Sequence, residues 1–175
     1  YLEASKAALH GDNQARKTST LAVLDFVLSH ALRLFHPFLP FITEELWHGM
    51  GYHGDMPAEQ GGNSIMFAPW PKPLETDFKD FYGIDDCYLA RADAKQELVT
   101  LGRNMRREFN IPSNKKVKYI IKPPDAVPPN DQAVLKILLN AETLEVDPNF
   151  AAPKGMPVVH TKLGELFMPI EGLVD

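Results

Sequence analysis

A chain of 175 residues with 45% hydrophobic and 23% charged side chains has the composition of a soluble globular protein of one domain, or one domain with a small appendage. No apolar run approaches the roughly 20 residues that span a bilayer, and the single cysteine, Cys87, excludes an internal disulfide or a Cys-rich zinc site and fits a reducing compartment. The net charge of −5 excludes a uniformly nucleic-acid-binding surface, yet residues 91–122 carry nine basic and three acidic side chains between two acidic stretches. Local potential, more than net charge, steers a phosphate backbone.

Residues 1–9 have helical composition, with Gly11 and Asp12 as the stop. The chain thus opens inside a helical pattern, without a leader, and is expected to be a piece of a longer polypeptide. A second helix is predicted from Gln14 to His36, with Leu21, Leu24, Leu28, Ala31, Leu32 and Phe35 on one stripe. Val23, Phe26, Val27 and Leu34 widen that stripe until only a narrow polar strip remains, which predicts burial on most sides. Pro37 ends this helix, and Pro40 begins another that runs to about Met50, because the first helical position tolerates a missing N–H. Phe38 and Phe41 are expected to pin the corner between them, buried along with Trp47. The Gly/Pro-rich loop from Gly51 to Pro73 should hold a short extended piece at Ser64–Ala68, and Trp70 should pack back on the helices.

Asp85 and Asp86 open a third long helix, to about Asn110, with Leu98, Leu101 and Met105 as its buried stripe. The pattern then changes. KVKYIIK at Lys116–Lys122 alternates as a strand. A loop with four prolines, a helix at Gln132–Asn140 and strands at Thr143–Val146, Pro157–Thr161 and Glu165–Pro169 follow. The fold class is mainly α: a helical bundle over 1–110, then a small α+β unit over 111–175, with the boundary near residue 111.

On the third helix Arg103, Arg106, Arg107 and Asn110 fall at i, i+3, i+4 and i+7 and share one face. Lys115, Lys116 and Lys118 continue the charge beyond it. Guanidiniums suit phosphate because they donate two parallel hydrogen bonds; the same spacing equally describes a solvated face whose cations favour a helix C-terminus. Glu44 and Glu45 point about 100° apart on a helix, which suits a structural role better than an acid–base pair. His30, His36, His48 and His53 lack metal spacing. There is no phosphate-binding loop, no GxSxG and no HExxH, so no catalytic, cofactor or metal residue is assigned.

HPFLPFITEELW at His36–Trp47 and SIMFAPWP at Ser64–Pro71 resemble the anticodon-binding helical domain of class I aminoacyl-tRNA synthetases for branched aliphatic amino acids. NIPSNKKV at Asn110–Val117 and ELFMPIEGLVD at Glu165–Asp175 are most similar to the valyl type; leucyl and isoleucyl types share the helix corner. The resemblance implies a parent enzyme of the cytoplasm that joins valine to its tRNA using ATP and Mg²⁺, with catalytic and editing domains upstream. It implies that bundle helices precede Tyr1, that a coiled-coil arm follows Asp175, and that this piece grips tRNA without catalysing. RNA contacts are then expected at Arg103, Arg106, Arg107, Lys115, Lys116 and Lys118. An isoleucyl- or leucyl-type domain and a helical protein-interaction module with a basic face stay open as alternatives.

Overall fold

The computed structural model describes residues 1–73, 80 and 82–170, so the last five residues of the Glu165–Asp175 motif lie outside the described residues. The chain folds as two compact units, Asn13–Phe78 and the discontinuous Tyr1–Asp12 with Lys79–Asp175. These units divide the chain elsewhere than at the expected junction near residue 111, because the third long helix and the sheet that follows it share one core.

In the unit Asn13–Phe78, α2 (Gln14–Phe35) starts at Asn13, whose Oδ1 accepts a 2.9 Å hydrogen bond from the Arg16 N–H. α3 (Pro40–Gly49) begins on Pro40, and the corner falls between them at residues 36–39, where the two prolines require it. The expected aromatic pin is not what holds that corner. Phe38 is 79% and Phe41 91% exposed; only Trp47 is buried, at 0%. A polar clasp fastens it instead. The Thr43 hydroxyl donates to the Leu39 carbonyl at 2.8 Å and lies 2.8 Å from His36 Nδ1.

Trp47 centres a small cluster with Leu32, Tyr52 and Ile65. Its indole N–H donates to the Gly61 carbonyl at 2.8 Å. Gly61 has φ +97°, and a Cβ there would sit 2.7 Å from Ala68 Cβ, so only glycine lets the loop close over the indole. Tyr52 opens the one-turn α4 (Tyr52–Asp55) and donates to Asp25 Oδ1 at 2.7 Å; burial, then Asp25, pushes its phenol well above the ordinary range. Glu44 takes the structural role expected, accepting from Ser64 Oγ at 3.0 Å and lying 3.0 Å from His48 Nε2.

Three further expectations fail in this unit. Residues 65–67 form a 3-10 turn rather than an extended piece, because the Ser64 hydroxyl accepts from the Met66 N–H and curls the chain. Trp70 is exposed. α2 buries only Ser29 and Leu32, while Leu21, Val23, Phe26, Val27, Leu34 and Phe35 stay exposed, since the described neighbours cover one side of it. By length and composition α2 would pass as a bilayer span, although Arg16, Lys17, Asp25 and Arg33 interrupt it. Asp25 and Arg33 hydrogen-bond within the unit, to Tyr52 and to the Pro69 carbonyl, as in a water-facing bundle helix.

In the other unit, α1 (Leu2–Leu9) lies against α6 (Pro129–Leu138). α5 (Asp86–Glu108) starts at Asp85, whose Oδ1 accepts from the Tyr88 N–H at 2.9 Å. The sheet is ordered β2–β1–β4–β3, with β1 (Val117–Lys122), β2 (Ala141–Val146), β3 (Val158–Thr161) and β4 (Gly164–Phe167). β1 and β2 run parallel with α6 as the crossover; β4 is antiparallel to both β1 and β3. Val117, Tyr119 and Ile121 share one core with Leu98, Val99 and Met105 of α5 and with Leu135 of α6. Gly102 of α5 leaves room for side chains packed against it: a Cβ there would stand 2.6 Å from Leu139 Cδ2 and 2.9 Å from Leu166 Cδ2. The Tyr119 hydroxyl donates to the Gly102 carbonyl at 3.2 Å. Burial pushes that phenol up to about 12, with the Arg106 charge pulling the other way.

Candidate nucleic-acid interface

Two helices of the sheet unit end at the same place, and both ends are built the same way. α5 stops because Asn110 turns left-handed, φ +52°, so that the Asn110 N–H reaches the Arg107 carbonyl at 3.1 Å and the Ile111 N–H reaches the Arg106 carbonyl at 2.9 Å, a Schellman cap. α6 stops at Asn140, φ +49°, whose N–H reaches the Ile137 carbonyl at 3.0 Å and whose Nδ2 donates to the Ser113 carbonyl at 2.7 Å. Helix C-termini gather carbonyls with partial negative charge, and cations are stable beside them.

That fact sorts the predicted basic face. Arg106 is 5% exposed and is not part of a surface ridge. Its Nη1 donates to the carbonyls of Leu139 and Asn140 at 3.1 and 3.3 Å, and its Nη2 to those of Pro112 and Lys115. It knits the end of α5, the 111–116 loop and the α6–β2 turn together. Arg103 is exposed but half committed: Nε and Nη2 both donate to the Leu138 carbonyl, at 3.0 and 2.7 Å. Arg107 is exposed and, among the described residues, makes only a 3.5 Å contact with Asn104 Oδ1. Lys115 and Lys116 are exposed and without a side-chain partner among the described residues. Lys118 is paired with Glu145 on β2 at 2.7 Å. Farther up α5, Arg91 and Lys95 both bind Asp131, at 3.1 Å each.

Thus the structure brings Arg103, Arg107, Lys115 and Lys116 to the surface of one unit, withdraws Arg106 and occupies Lys118. Helical spacing showed which arginines share a face; it did not show that backbone acceptors more than thirty residues later meet that face. Ser113 and Asn140, which residue spacing does not single out, line a groove beside the arginines. The only sequence signal for them was the Asn at each helix end. Elsewhere among the described residues, His48 stacks on His53 with ring centres 4.5 Å apart, Cys87 is exposed, and no three metal-ligand side chains come together.

The chain is mainly helical with a small mixed sheet, and cationic side chains at the end of α5 face solvent. The chain belongs to the family described as the anticodon-binding domain of tRNA ligase, which it matches over residues 1–121. Along its whole length it is similar to valine–tRNA ligases: 35% identical over 186 residues to that of Geobacillus stearothermophilus, 32% over 180 to that of Enterococcus faecalis, and 30% over 179 to that of Listeria monocytogenes. In each case all of this chain is aligned, and it spans about a fifth of the relative, 19%.

Proposed function

We propose that this chain is the tRNA-gripping part of a cytoplasmic valine–tRNA ligase, and that it holds valine-specific tRNA while other parts of the same polypeptide attach valine. The observation that carries this reading is the similarity to valine–tRNA ligases across all of the chain, together with its place in the anticodon-binding family. Of the six basic candidates, Arg103, Arg107, Lys115 and Lys116 are the ones left to meet phosphate and ribose; such contacts position RNA more than they read its sequence. Lys118 would join them only by giving up Glu145, and Arg106 acts through the loop it holds.

ATP and Mg²⁺ would serve the catalytic part, because this chain carries no phosphate-binding loop and neither nucleotide-binding signature of class I synthetases. The upstream catalytic and editing domains are natural neighbours for the exposed apolar side chains of α2 and α3.

The test is tRNA binding by the full-length polypeptide as a function of salt. Reversing Arg107, Lys115 and Lys116 to Glu should weaken binding to all tRNAs about equally. It should also flatten the plot of log affinity against log salt by roughly 0.7–0.9 for each phosphate left unneutralised. Unchanged affinity and slope in a folded triple variant would reduce this surface to a solvated face.

A further inference from the structure

A groove of about 510 Å³ opens in the sheet unit where α1, the last turns of α5 and the α6–β2 turn come together. Its walls are of two kinds. Ile137 and Leu138 give apolar surface, while Arg103, Arg107, Ser113 and Asn140 give polar groups. Arg106 also lines it, and the hydrogen bonds of that buried guanidinium end on carbonyls, with no carboxylate paired to it among the described residues. Carbonyl dipoles satisfy the N–H groups but do not cancel a unit charge, so a positive potential extends into the groove. Two hydrogen bonds to one carbonyl fix the plane of Arg103 in advance, leaving its remaining edge for an anion or its face for stacking.

Glu3 completes the lining, and its carboxylate is held by Lys6 at 2.9 Å. A carboxylate is the wrong neighbour for a bare phosphate, whereas it can accept a hydrogen bond from a ribose hydroxyl. Cation, aliphatic wall and hydroxyl acceptor together describe a nucleotide, and the volume lies in the range that encloses small ligands.

We propose that this groove takes one nucleotide of an RNA strand, its phosphate at Arg103 and Arg107, its sugar hydroxyl toward Glu3, and its base laid on Ile137. The proposal rests on the tRNA-gripping reading and adds a particular seat to it.

The experiment is binding of a tRNA(Val) transcript to the full-length polypeptide carrying Ile137→Glu. The control is Val158→Glu, an equal charge change at a comparably exposed strand residue outside the groove. Ile137→Glu should lower affinity at least about tenfold, because it replaces the apolar wall under the base with a carboxylate that repels the strand's phosphates, with Val158→Glu near wild type. Ser113→Glu, on an exposed loop, replaces Ile137→Glu if that variant misfolds. Glu3→Ala, which removes the acceptor, should narrow the preference for an RNA stem-loop over its DNA counterpart. If the wild type binds no tRNA, the functional reading fails, and the seat with it. If it binds and the groove and control variants are alike, the seat alone is overturned. If calorimetry shows AMP binding that Ile137→Glu abolishes while tRNA affinity holds, the groove belongs to a free nucleotide and the RNA assignment is wrong.

Discussion

The sheet unit and the corner unit are both rich in apolar side chains, and they treat them in opposite ways. The sheet unit encloses them: Leu98, Tyr119, Ile121, Leu135, Leu166 and Met168 are all fully buried. The corner unit encloses four, around Trp47, and leaves Phe26, Val27, Phe35, Phe38, Phe41 and Ile42 in contact with solvent. The cause is geometric. A sheet has a face that α5 and α6 cover together, whereas α2 and α3 are apolar on more sides than one loop can cover. Apolar periodicity therefore says which side chains favour cover; it does not say that the cover comes from the same stretch of chain.

Trp47→Ala tests the enclosed half of the corner unit and should have the largest effect. Removing a fully buried indole costs about 3–5 kcal/mol, and the Gly61 carbonyl also loses its donor. Urea denaturation would read it, and a loss below about 1 kcal/mol would mean that the Trp47 cluster is not what holds the corner together.

The sheet unit offers a gentler probe in Tyr119. Its phenol titrates near 12 when folded, against about 10 when unfolded. Between those values the folded state binds the extra proton, so this contribution is fully present below about pH 10 and is lost as pH rises toward 12. Two units correspond to roughly 2–3 kcal/mol. Tyr119→Phe should lack that loss, and the difference between wild-type and variant stability across alkaline pH isolates it from lysine titration. Parallel curves would show that the phenol is not enclosed in solution.

Phe41→Ser should do least. At 91% exposed the ring has little to lose, and the stability change should stay within about 0.5 kcal/mol. A loss above about 1.5 kcal/mol would show the ring buried, and the contrast between the two units would fail at its clearest point.

What was legible in the sequence was local. Pro37 and Pro40 place the corner by covalent geometry, and Val117, Tyr119 and Ile121 mark a strand by alternation that survives as β1. α5 ends within two residues of the expected Asn110 because a left-handed Asn is a helix stop. What was not legible depended on partners far along the chain. Arg106 looked like its neighbours until Leu139 and Asn140 brought carbonyls to it. Phe38 and Phe41 had the right composition for a staple, yet a His–Thr hydrogen bond holds the corner. The groove was invisible for the same reason: Glu3, Arg103 and Asn140 meet only in space.

The discontinuity of the sheet unit sets an order of events during synthesis. α1 leaves the ribosome well before its packing partner α6, which begins 127 residues later, from Leu2 to Pro129. At about 5–20 residues per second that interval is roughly 6–25 s. The α6 surface on which α1 packs is thus missing while the whole corner unit emerges and has time to close. The seam between α1 and α6 therefore forms late, and a translational pause before residue 129 would lengthen the time for which Ser5 and Ala8, the buried residues of α1, lack that cover.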